Sequence, residues 1–81
     1  MKSGLKMITT LCEGEAKSAL IIDSKILISF QSKLELYSIH KYQLLASLHY
    51  HPCQSLFRMK DNRILACSIG SVEFIEIKDN H

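Results

Sequence analysis

The residues best suited to chemistry in this chain are His49, His51 and Cys53, which fall at i, i+2 and i+4 in the segment HYHPC. On an extended strand the three side chains would share one face, and two imidazoles with a thiolate suit zinc. Pro52 stands against this, because it bends the chain between His51 and Cys53 and spoils the alignment. The reading adopted is a surface loop with no metal. His40 and His81 read as solvated loop residues. Glu35 and Glu73 lie 38 residues apart, which the repeat described below places on successive sheets. Carboxylates that share acid/base work sit about 5–9.5 Å apart in the glycosidase case, so these two read as solvated strand residues. Asp23, Ser24 and His40 supply the residue types of a nucleophilic triad. They lack a nucleophile elbow and a glycine-rich oxyanion turn. Ile69-Gly70-Ser71 is a turn between strands, since a phosphate loop needs several glycines and a following helix. Cys12 and Cys67 read as small core hydrophobes. The expectation is a chain with no catalytic site, no cofactor and no metal.

The composition that must position these residues is globular: 47% hydrophobic and 22% charged over 81 residues. That length means one domain at most, and a domain so small buries only about 60% of its unfolded surface. The net charge of +2 comes from scattered Lys and Arg, with no basic run. Without Trp, and with three Tyr and three Phe, there are few stacking platforms for bases. No nucleic-acid partner is expected. No apolar run approaches the roughly 18 residues of a membrane span, and Thr9-Thr10 breaks the apolar pair Met7-Ile8 before it resembles a signal-peptide core. Three cysteines, none in CxxC spacing, argue against a disulfide framework and for a reducing compartment, the cytoplasm.

Glycine and proline are rare, so turns are read from polar pairs: Asp23-Ser24, Gln31-Ser32, His40-Lys41, Asp61-Asn62, Gly70-Ser71 and Asp79-Asn80. Between them lie short runs rich in Ile, Leu, Val and Phe. In Leu34-Glu35-Leu36 and Val72-Glu73-Phe74 the apolar residues alternate around a carboxylate, which is the period of a strand. The chain is therefore expected to be all-β and antiparallel.

An internal repeat organises these runs. At a spacing of 38, Asp23 meets Asp61, Ile26 meets Ile64, Leu27 meets Leu65, Glu35 meets Glu73 and Ile39 meets Ile77. Leu34 meets Val72 and Leu36 meets Phe74. Upstream the spacing is 37, so that Leu11 meets Leu48, Met7 meets Leu44, Ser18 meets Ser55 and Leu20 meets Phe57. Each copy reads as strand, long loop, strand, tight turn, strand, tight turn, strand. Four strands in about 40 residues is the period of a β-propeller blade.

In this frame the chain resembles the WD-repeat propellers over nearly its whole length. LELYSI (Leu34–Ile39) and VEFIEI (Val72–Ile77) fit the family's apolar-x-apolar-Trp-Asp-apolar motif, with Tyr37-Ser38 and Ile75-Glu76 in the Trp-Asp slots. Gly14-Glu15 and Tyr50-His51 stand near the place of the family's Gly-His pair. Gln31-Ser32 and Gly70-Ser71 lack its structural Asp. The resemblance implies a single domain, 1–81, of two blade-like repeats at about 5–41 and 42–79. Met7–Leu11 would be the outermost strand of a blade otherwise missing. Strands near Ser18–Ile22, Lys25–Phe30, Lys33–Ile39 and Tyr42–Leu48 would make one complete blade. Gln54–Met59, Arg63–Ser68 and Ser71–Ile77 would make three strands of the next. Leu20, Ile26, Ile28, Leu34, Leu36, Leu44, Leu48, Ile64, Val72 and Phe74 would be buried between sheet layers.

The function implied is a non-catalytic protein–protein interaction scaffold, with loops at the ends of a rigid frame making the contacts. Glu13, Glu15, Lys17, His49, Tyr50, His51 and Arg58 are the expected protein-binding residues. The alternative is a two-blade, lectin-like subunit that oligomerises to bind small ligands or glycans between blades; the absence of Trp counts against it. An enzyme on an all-β barrel would lack a supporting constellation. Two repeats do not close a disc. The expectation is therefore a fragment of a longer propeller, complementation by another propeller chain, or a homo-oligomer. In the latter, Met7–Leu11 of one copy would pair with Ser71–Ile77 of another, and three or four copies would give six or eight blades.

Overall fold

The computed structural model describes residues 4–78. The turn expected at Asp79-Asn80, and His81, lie outside the described residues. Seven strands form in chain order: β1 (Ser18–Ile22), β2 (Lys25–Ser29), β3 (Lys33–Ser38), β4 (Leu44–His49), β5 (Ser55–Arg58), β6 (Arg63–Cys67) and β7 (Val72–Glu76). Each pairs antiparallel with its chain neighbour. They make a four-stranded sheet, β1-β2-β3-β4, and a three-stranded sheet, β5-β6-β7. Among the described residues no helix is long and apolar enough to cross a membrane.

Local chemistry explains the turns. Asp23 and Asp61, repeat counterparts, both take a left-handed backbone (φ 55° and 64°). Aspartate tolerates that region better than most residues do. Other local bonds recur between repeat counterparts. The Phe30 amide donates to the Lys33 carbonyl at 2.8 Å, and 38 residues on the Ser68 amide donates to Ser71 at 2.9 Å. The Ile39 amide donates to Ser24 at 2.9 Å, and the Ile77 amide to Asn62 at 2.8 Å. The Lys17 amide donates to Ser29, and the Gln54 amide to Cys67. The two copies therefore share backbone geometry as well as sequence pattern.

The sheets pack through non-equivalent faces. Cross-strand register puts Leu20, Leu27, Leu36 and Ala46 in one row of the first sheet, with Ser29, Leu34 and Leu48 in the next row on the same face. The second sheet answers with Leu56, Ile64, Ala66, Ile75 and Ile77. Leu34 and Ile64 are 1% and 0% exposed, and Cys53 from the connecting segment closes the same core. A smaller cluster lies on the outer face of the first sheet. There Leu11, Cys12 and Ile26 pack on Ile28, Phe30 and Tyr37.

Several expectations are corrected. Met7–Leu11 forms no strand. Leu5, Met7 and Ile8 are exposed, Leu11 and Cys12 pack on the outer face of the first sheet, and Lys6, Ile8 and Thr9 line a cleft with Ile21, Ile26 and Ile39. A strand needs a neighbour for its N–H and C=O groups, and none lies alongside. Leu44, Leu48, Val72 and Phe74 are exposed, not buried. Val72 and Phe74 point away from the first sheet. Leu44 shares the outer-face row of Tyr37 at the sheet edge. Leu48 is uncovered because the facing sheet has three strands. Leu34, Leu36 and Ile64 are buried between the sheets as expected and Leu20 is half-buried there, whereas Ile28 is buried and Ile26 half-buried on the outer face of the first sheet, under Leu11 and Cys12. Cys53 is core and not surface loop, while Cys12 and Cys67 are half-buried.

Candidate functional site

The connecting segment 50–54 determines what one end of the molecule presents. It leaves β4 at His49 and must reach β5 across the gap between the sheets. Pro52 bends it, and backbone groups pin it on both sides. Ser18 Oγ donates to the Cys53 carbonyl at 3.1 Å, and the Cys53 amide donates to Ser29 Oγ at 3.1 Å. The Tyr50 amide donates to the Ser32 carbonyl at 3.0 Å. Ser29 is the buried polar side chain of this core, and its hydroxyl satisfies an amide that would otherwise be stranded. Burial pushes the Cys53 thiol upward, away from the reactive thiolate.

Pinning holds Tyr50 and His51 in place. Their rings stack at 4.1 Å between centroids, 27° apart in plane. Tyr50 Oη donates to a Glu73 carboxylate oxygen, and the same oxygen lies 3.6 Å from His51 Nε2. Burial, then the Glu73 hydrogen bond, holds the Tyr50 phenol above its ordinary value, so it stays protonated. Beside this pair opens a groove of about 580 Å³, lined among others by Lys17, Gln31, His51, Gln54 and Ser71. Ser68 Oγ donates to the Ser71 carbonyl at 3.1 Å and fixes the groove's far lip. Lys17 Nζ reaches Glu15 Oε1 at 3.5 Å. Glycine is required at Gly14 (φ 122°), where the backbone passes against the Phe30 ring.

Of the residues expected to bind protein, the structure gathers Lys17 and His51 at the groove, with Tyr50 behind His51. Glu13, Glu15 and His49 are exposed near this end and do not line it. Arg58 lies at the opposite end, where its Nη2 meets Asp23 Oδ1 at 3.2 Å and ties the β1–β2 turn to β5. Of the triad types, Asp23 is engaged by Arg58. His49, His51 and Cys53 diverge: both histidines are exposed and Cys53 is core. Among the described residues no group of three His, Cys, Asp or Glu could hold a metal ion.

Sequence reasoning missed Glu73 as the shared acceptor of Tyr50 and His51. It also misread Glu35, whose side chain is largely buried on the outer face of the first sheet. Glu35 accepts from Tyr37 Oη at 2.7 Å and meets Lys33 Nζ at 3.1 Å. The Tyr37 bond, then Lys33, holds the carboxyl below its ordinary range against the opposing effect of burial. The repeat carried a signal for both, since it paired the two carboxylates in sequence; the tyrosine beside each one was the missing element.

The site offers aromatic faces, one cation, amides and hydroxyls on a fixed frame. Compared with protein-family models, with curated proteins and with solved structures, the chain matches none.

Proposed function

We propose that this chain is a non-catalytic protein–protein interaction scaffold built from WD-like propeller blades, working in the cytoplasm as a fragment or subunit of a larger propeller. The observation that carries this reading is the head-to-tail packing of two antiparallel sheets whose turns repeat the same hydrogen bonds 38 residues apart. Stacking of that kind builds solenoids and propellers, whose loops gather at the ends of a stiff frame. The groove beside Lys17 and His51 is such a loop end, and Tyr50 supplies the amphipathic aromatic that recognition surfaces favour.

A photo-crosslinking residue placed at His51, at Gln31 and, as a control, at His40 in the β3–β4 turn tests the reading in lysate of the source cells. Expected is a protein adduct at positions 51 and 31 that is lost on Lys17→Glu and absent from position 40. Equal labelling at all three positions, unaffected by Lys17→Glu, contradicts it.

A further inference from the structure

Residues 4–13 cross the outer face of the first sheet without joining it. Among the described residues no backbone hydrogen bond ties them to a strand. Leu11 and Cys12 pack on the buried cluster of Ile28, Phe30 and Tyr37. Towards residue 4 the segment stands off, and an apolar cleft of about 400 Å³ opens between Ile8 and Leu11 on one side and Ile21, Ile26 and Ile39 on the other. Leu5, Met7 and Ile8 are exposed. The repeat counterpart of this segment contains β4, which is paired along β3. The same pattern is thus held by a hydrogen-bonded ladder in one copy and by side-chain packing in the other.

A hinge follows the segment. Gly14 takes φ 122°, a backbone that L side chains rarely adopt, and a Cβ there would meet the Phe30 ring at 3.5 Å. Three residues on, the Lys17 amide donates to the Ser29 carbonyl at 2.7 Å and the chain enters β1. The backbone is therefore pinned after Gly14 and unpinned before it.

The face beneath is organised by contacts of its own. Tyr37 Oη donates to Glu35 Oε1 at 2.7 Å, and Glu35 Oε2 meets Lys33 Nζ at 3.1 Å. Lys33 Nζ in turn stands 5.3 Å from the centre of the Phe30 ring. The β2–β3 register holds Ile28 and Tyr37 in place from below. Lifting residues 4–13 would break no backbone hydrogen bond. It would forfeit the packing of Leu11 and Cys12 and leave the two sheets and the core between them as they are.

We propose that residues 4–13 are a displaceable strap, hinged at Gly14, which lifts from the outer face of the first sheet while both sheets stay folded. Segments with few buried contacts and no ladder open at a lower free energy than the whole molecule. The lifted state uncovers Ile28, Phe30 and Tyr37 as an ordered apolar patch beside the Lys33–Glu35 pair. The strap is independent of the groove beside His51 and of the scaffold reading.

Thiol labelling of the full chain carrying Ile28→Cys tests this, read site by site by peptide mass spectrometry in urea below the unfolding transition. Ile28 lies under the strap, 6% exposed, and Cys53 in the core between the sheets, 0% exposed, so one molecule supplies both rates. Every chain also carries Cys12→Ser, so that a label there does not itself lift the strap. Circular dichroism checks that the strands are kept, and Phe30→Cys replaces Ile28→Cys if they are not. Position 28 is expected to label at least about tenfold faster than Cys53, with a weak dependence on urea, while Cys53 follows the full slope of unfolding. Ile64→Val weakens the core alone, so it should speed Cys53 about two- to tenfold and leave position 28 unchanged. Gly14→Ala strains the closed strap and should speed position 28 about fivefold or more. Labelling of position 28 at the rate and urea slope of Cys53 overturns the proposal, because strap and sheets would then open together. So does an Ile64→Val chain in which both positions accelerate alike, and so does a Gly14→Ala chain in which position 28 stays as it was.

Discussion

The first sheet and the second are written in nearly the same pattern, yet they differ in what they bury. In β3, Leu34, Leu36 and Tyr37 are all buried, because the second sheet covers one face and Leu11 and Cys12 pack on the other. In β7 the counterparts Val72 and Phe74 are exposed and Ile75 is half-buried. Alternation fixes which residues share a face; a neighbour decides whether that face is dry. Identical periodicity therefore carries very different energies in the two halves.

The largest expected effect sets these halves directly against each other. Leu36→Ala should cost about 2–5 kcal/mol of stability, as for other buried leucines. Phe74→Ala, measured on dilute monomer, should cost less than about 0.5 kcal/mol, as at a free surface. Urea midpoints of the two variants check this, and equal losses would erase the distinction.

A smaller difference is expected at Ser29 and its counterpart Cys67. Ser29→Ala leaves the buried Cys53 amide without its acceptor, at a cost of about 1–3 kcal/mol. Cys67→Ala removes only a half-buried thiol and should cost less. If Ser29→Ala is silent, the connecting segment is not held as described. Smaller still, Arg58→Ala breaks an exposed ion pair with Asp23 and should cost about 0–1 kcal/mol, diminishing with salt.

Acid sharpens the comparison at the paired carboxylates. Because the Glu35 carboxyl is held below its ordinary range, it stabilises the fold at neutral pH. That contribution is lost as pH falls below the usual carboxylate value and through the lowered one. The stability gap between wild type and Glu35→Gln should therefore be widest near neutrality and close in acid. A gap that widens in acid would reverse the sign.

Much of the fold was legible in sequence because turns and alternation are local. Asp23 and Asp61 marked two left-handed turns, and the four strands of the first sheet and three of the second fall within one or two residues of the expected spans. Burial was less legible. Val72 and Phe74 carry the signature of core residues, yet among the described residues no sheet packs on the face that holds them. Met7–Leu11 has the pattern of a strand but pairs with none of the seven strands. At the site, Lys17 and His51 were readable as loop residues between strands. The Glu73 contact was not, since it joins residues 22 and 23 positions apart through the packing of two sheets. The HYHPC spacing misled because Pro52 turns Cys53 inward.

The central claim is that the repeat is a stacking register, so that the free face of the second sheet becomes core once a like sheet covers it. The most direct measurement uses a chain in which residues 42–79 are repeated once after position 79, giving the second sheet its fourth strand and a third sheet to face. Urea unfolding of that longer chain, with and without Phe74→Ala, reads the change. The account predicts that the substitution, nearly silent in the 81-residue chain, now costs about 2–5 kcal/mol, as Leu36→Ala does. A cost still below about 0.5 kcal/mol would contradict it.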